Sequence, residues 1–195
     1  MNNRTTITLI AIASAALMAG CSTATSTTEA MSSKIAGITG NDNVPSTSPM
    51  SFFIISAGMG DGANLGGLAG ADAHCQELAT SADATAGART WQAYLSVPGK
   101  FGKPGEPGIH ARDRIGSGPW YNAKGVLVAS SVDDLLGDSN NLTKQTSVSE
   151  SGEVVNGRGD EPNRHDILTG SAANGRSTGS TCDDWTSSGE GTATV

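Results

Sequence analysis

The chain has 195 residues, a formal net charge of -7, 36% apolar content and 26 glycines, which is enough for one modest domain and too little for two. Aromatic residues are only 4% of the chain, and a small exported fold with so little bulky core material leans on disulfides. The acidic balance and the lack of any Lys/Arg cluster exclude a nucleic-acid partner, whose phosphates demand a basic face.

The chain opens with MNNRTTITLIAIASAALMAGC: one positive charge at Arg4, a small and apolar run from Ile7 to Met18, then Ala19 and Gly20 before Cys21. About 20 apolar residues are needed to span a bilayer, so this shorter run predicts an export signal over residues 1–20, not a membrane span. Its end resembles the bacterial lipobox, in which small residues precede a cysteine that receives lipid. The resemblance implies lipidation of Cys21 and attachment to the membrane, to which acyl chains contribute roughly 0.8 kcal/mol per buried methylene. Ser22, rather than Asp, follows the cysteine. By resemblance to Gram-negative sorting signals, that places the mature protein in the cell envelope, at the outer membrane. Residues 21–49 are rich in Ser, Thr, Ala and Gly without helical or strand periodicity, and are expected to form a flexible tether.

The folded part is expected over 50–195. SFFIIS (51–56), β-branched and aromatic, predicts a first strand. The glycines after it, Gly58, Gly60, Gly62, Gly66 and Gly67, lack the G-x-G-x-x-G register of a dinucleotide cradle. They are expected to let the chain turn tightly into a helix on which Leu68, Ala71, Cys75, Leu78 and Ala79 form an apolar stripe. TWQAYLSV (90–97) is expected to be a short second helix with Trp91, Tyr94 and Leu95 on one face. A turn at Lys124-Gly125, a short apolar strand and a helical turn follow, and SESGEVVNG (149–157) has the pattern of a hairpin edge.

From the first helix onward, GLAGADAHCQ (67–76), TWQAYLS (90–96), ARDRI (111–115), WYNAKGVLVA (120–129), ILTGS (167–171), NGR (174–176) and TCDDW (181–185) follow one another in an order that resembles endostatin, a C-type-lectin-like module. The resemblance implies an α+β, C-type-lectin-like fold: two helices packed on a twisted, mostly antiparallel sheet with long loops. It also implies that Cys75 and Cys182 each pair with a cysteine beyond residue 195, so the domain is expected to be incomplete. Within this chain, Cys75 and Cys182 either pair with each other or stay orphan thiols. Direct pairing would close a loop of about 107 residues, worth up to ~5 kcal/mol in the chain-entropy picture, and requires Cα atoms within about 7 Å.

Candidate sites are few. GRSTG (175–179) matches the G-x-S-x-G nucleophile elbow with Ser177 at its centre, but no histidine follows it in the chain, so a loop serine is the better reading. EPN (161–163) spells the calcium and sugar tripeptide of mannose-binding C-type lectins, which makes Glu161 and Asn163 weak ligand-binding candidates. It precedes, rather than follows, the segment matching the second core strand, and a turn at Pro162-Asn163 is the simpler account. RGD (158–160) reads as a loop, RHD (164–166) as an ion pair capping a strand, and DDLLGDSNN (133–141) as a solvated loop. The heparin and zinc binding associated with endostatin does not carry over, because the arginines are scattered and the mature amino terminus has no histidine. No metal, cofactor or catalytic residue is expected. The reading is a non-catalytic, lipid-anchored envelope protein whose lectin-like module binds an extracellular protein or glycan. The alternatives are a serine hydrolase using Ser177 and a remnant without independent activity.

Overall fold

The computed structural model describes residues 20–23, 49–100 and 107–195. Apart from residues 20–23 and Pro49, the expected signal and tether lie outside the described residues.

Three short strands, β1 (Gly20–Thr23), β2 (Phe52–Ile54) and β3 (Trp91–Ala93), form a sheet in the order β2-β1-β3, antiparallel at both junctions. Cys21 stands opposite Phe53 on one side and Ala93 on the other. Because side chains alternate across a sheet, these three share a face. That face meets helix α1 (Gly67–Ala82), whose buried residues are Ala71, Cys75 and Ala79. The i, i+4, i+8 spacing puts them on one stripe, as the sequence predicts. The turn into α1 passes through Gly66 and Gly67 at φ 70° and 71°, where a side chain would be strained.

The opposite face carries Phe52 and Ile54, which pack with Ile115, Trp120, Val128, Ala129 and Leu135 into a second core. Strands β4 (Trp120–Tyr121) and β5 (Leu127–Ala129) form a hairpin closed at Gly125, and a helical turn, Val132–Leu136, follows. Asn122, fully buried, holds the hairpin turn: its side-chain oxygen accepts the Lys124 and Val126 N–H groups, and its amide donates to the Thr146 carbonyl. The expected 149–157 hairpin forms through a bridge between Val148 and Val154.

Two expectations are corrected. Residues 91–93 are strand, not helix: Trp91 and Ala93 alternate inward with period two, and α1 supplies the partners that the outer edge of β3 needs. Gln76 accepts the Trp91 N–H, Asp72 accepts the Ala93 N–H at 2.8 Å, and Arg114 donates to the Ala93 carbonyl while pairing with Asp72 at 2.7 Å. The helix that packs beside α1 is instead the single turn α2 (Ala84–Gly87), capped by the Asp83 side chain on the Thr85 N–H. The second correction is at Cys182–Trp185, for which the endostatin resemblance implies a strand: the backbone is instead one left-handed turn with all four residues at φ between 46° and 67°. What holds this unfavourable conformation is Trp185, fully buried, with its indole N–H donated to the Ser96 carbonyl at 2.8 Å. The architecture is mixed α/β with small antiparallel sheets and few helices.

Candidate binding cleft and the cysteines

Cys21 and Cys75 are joined by a disulfide with their Cα atoms 5.7 Å apart, and both are buried. Cys75 is thus neither bonded to Cys182 nor a free thiol, whereas Cys182, half-buried as the first residue of the left-handed turn, is free. The sulfur expected to carry lipid is the one that bonds Cys75, and a sulfur bonded to a lipid carbon cannot also bond another sulfur. Lipidation and this disulfide are alternative uses of Cys21.

Ser177 has a histidine neighbour that chain order did not reveal. His110 accepts the Ser177 backbone N–H on Nδ1 at 3.0 Å, and the Ser177 hydroxyl oxygen accepts the Gly179 N–H at 3.3 Å. The imidazole thus meets the peptide rather than the hydroxyl, and Ser177 lies on a loop bridged to Ser171 rather than on a strand-to-helix elbow. Glu161 and Asn163 lie on an exposed loop. The Asn163 side-chain oxygen is bonded to the His165 N–H and ring, an Asx turn that begins at the Asn163 of the expected Pro162-Asn163 turn. Asp160 of RGD is drawn into its own loop by Lys144 at 2.7 Å and by the Gly157 N–H. These bonds to Asp160 hold its carboxyl below the usual carboxylate range, the Lys144 bond contributing most. His165 and Asp166 approach to 3.7 Å on the surface and cap no strand. Among the described residues, no group of three or more His, Cys, Asp or Glu side chains converges as metal ligands would, and no helix is long and apolar enough to cross a membrane.

The structure does gather residues that the sequence did not single out. Three adjoining clefts share walls along the 142–167 loops. The first, about 340 Å³, is apolar, lined by Phe52, Ile54, Tyr94, Leu135, Leu136, Leu142 and Ile167. Burial raises the Tyr94 pKa, partly offset by the nearby Arg112 guanidinium. The middle cleft, about 420 Å³, shares Ile54, Leu142 and Ile167 with the first and adds Lys144, Arg158 and His165. The third, about 320 Å³, shares Val155 and Asn156 with the middle one and is polar, with Ser56, Ser149, Ser151, Glu153 and Arg164. Glu150 anchors this polar end by accepting the N–H and hydroxyl of Ser56, and Arg164 donates to the Ser56 carbonyl at 3.4 Å. An apolar end, a cationic middle and a hydroxyl-rich end suit recognition of a surface with mixed character. Segments around positions 54, 94, 135, 142–158 and 164–167 contribute, and no local spacing announces that convergence.

Comparison with known proteins leaves the class at a mixed α/β module: no family model, no curated protein and no solved structure matches the chain.

Proposed function

We propose that the protein is a non-catalytic, lipid-anchored envelope protein, held at the outer membrane through Cys21, whose endostatin-like, C-type-lectin-like module binds an extracellular protein or glycan. The export signal ending at Cys21 supports the anchoring, and the graded trough along the 142–167 loops carries the binding reading. A trough with apolar and hydroxyl-bearing ends offers stacking and hydrogen-bonding surface to a sugar or a protein loop, and its groups are not wired as a nucleophile, base and acid.

Two measurements test it. Radiolabelled palmitate should enter the wild-type chain and not the Cys21→Ser chain; equal labelling removes the anchor. Arrayed bacterial and host glycans, together with purified extracellular-matrix proteins, should yield a ligand whose binding is abolished by Ile167→Asp, on the trough wall. A panel with no binder, or a binder indifferent to Ile167→Asp, removes the binding role. A fluorophosphonate probe bears on the hydrolase alternative, since labelling at Ser177 would replace this reading with an enzyme.

A further inference from the structure

The apolar cleft and the middle cleft share one wall, because Ile54, Leu142 and Ile167 line both. Leu142, on that wall, is 38% exposed. The lining changes character along its length: the first part adds Phe52, Leu135 and Leu136, and the second adds Lys144, Arg158 and His165. Acids outnumber bases in the chain by 19 to 12, yet among the described residues no Asp or Glu lines either cleft. The acids that lie close by are already engaged. Asp160 accepts the Lys144 ammonium and the Gly157 N–H, and Asp166 lies 3.7 Å from the His165 ring, which is also bonded to Asn163. Arg158 is different: it is exposed and forms no hydrogen bond or ion pair among the described residues. One unanswered guanidinium therefore stands beside an open apolar wall in a protein of net charge -7.

We infer that these two clefts form a site for a single-chain amphiphile with a carboxylate head, of the fatty-acid class. The hydrocarbon chain lies along Phe52, Leu135, Leu142 and Ile167, and the carboxylate meets Arg158. A planar carboxylate matches the guanidinium fork with two parallel hydrogen bonds. Lys144 already serves Asp160, so the site offers one free positive charge, which balances a carboxylate more closely than a doubly charged phosphate monoester. Clefts of about 340 and 420 Å³ lie in the size range of small-molecule sites. The lack of lining acids sets the selectivity, since a cationic amphiphile would meet Arg158 with no counter-charge at hand. This site is separate from the lipid anchor and the macromolecular ligand proposed above and needs neither.

Isothermal titration of the full-length, disulfide-bonded chain with decanoate, kept below its micelle concentration, tests the site. Decanoate should bind saturably, one per chain, and about tenfold more tightly than octanoate, since each buried methylene adds roughly three- to fourfold. Decyltrimethylammonium, the same chain with the opposite charge, should bind about tenfold more weakly than decanoate. Arg158→Gln should weaken decanoate about fivefold, the most that an exposed ion pair supports, and leave neutral decanol unchanged. Leu142→Ser should weaken decanoate and decanol alike; should that variant unfold, the decanoate-induced amide shifts of Ile54, Leu142 and Ile167 in the wild-type chain locate the hydrocarbon instead. The inference is overturned by the absence of saturable decanoate binding, by equal affinity for decyltrimethylammonium, or by an Arg158→Gln chain that binds decanoate as the wild type does. Amide shifts confined to other surfaces overturn it as well.

Discussion

The Ser96 carbonyl accepts the Trp185 indole N–H at 2.8 Å, tying the segment after β3 to the left-handed turn 89 residues away. Gly170 completes this corner at φ +62°: a Cβ there would lie 2.7 Å from the Trp185 ring, 2.8 Å from the Thr181 methyl and 3.1 Å from the Ser96 carbonyl. Gly170→Ala should therefore lower unfolding stability by about 2–4 kcal/mol, combining backbone strain with overpacking. Gly179→Ala, at φ +87° with nothing within 4 Å, should cost only the backbone part, about 1–2 kcal/mol. Urea melts of the two variants provide the comparison, and equal losses would mean that the Trp185 corner is not tightly packed.

Asp72 is expected to matter through the strand edge that it closes. Asp72→Ala removes the acceptor of the Ala93 N–H and leaves Arg114, with a side chain only 10% exposed, without its carboxylate. A loss of about 3 kcal/mol is expected, with Asp72→Asn costing less because it keeps one acceptor. Amide exchange at Ala93 should quicken in the alanine variant. Unchanged protection there would show that the ion pair does not guard the edge.

In the unlipidated, oxidised chain, the Cys21–Cys75 bond spans 54 residues. The chain-entropy account assigns such a closure about 4 kcal/mol. Adding reductant should lower the wild-type melting transition by that amount and leave Cys75→Ser unaffected. A variant that still responds to reductant would place the bond elsewhere.

At low pH, Asp134 should titrate late. Its carboxylate accepts bonds from the Ser130 N–H, the Ser139 hydroxyl and the Ser130 hydroxyl, which hold its pKa below the ordinary aspartate value of 3.8. A depressed folded pKa contributes stability that is present above 3.8 and fades as pH falls through the lowered folded value. NMR of the side-chain carboxyl carbons should find Asp134 among the last to protonate, and Asp134→Asn should flatten the acid limb of the stability curve. An ordinary titration would sink the assignment.

At high pH the sign reverses for Tyr94. Burial raises its pKa above 10.0, with Arg112 opposing, so the folded state holds the phenolic proton longer than the unfolded chain. The stability it contributes is present below 10.0 and is lost as pH rises through the folded pKa. Phenolate absorbance in a Tyr121→Phe background, where Tyr94 is the only tyrosine left, should show ionisation above 10.0, and ionisation at or below that value would sink the assignment.

Local chemistry wrote part of this molecule directly into the chain. The apolar spacing of Ala71, Cys75 and Ala79 specifies the buried stripe of α1, Phe52–Ile54 reads as strand, and Lys124-Gly125 reads as a turn, because each depends on neighbours within a few residues. Segment 91–93 did not read correctly, because Trp91 and Leu95 also satisfy a helical spacing and only the partners supplied by Gln76, Asp72 and Cys21's strand make it β. The sulfur pairing, the meeting of His110 with Ser177 and the trough along the 142–167 loops were decided by tertiary structure alone. Each joins segments tens of residues apart, and contact at that range follows from how layers pack, which no local period encodes.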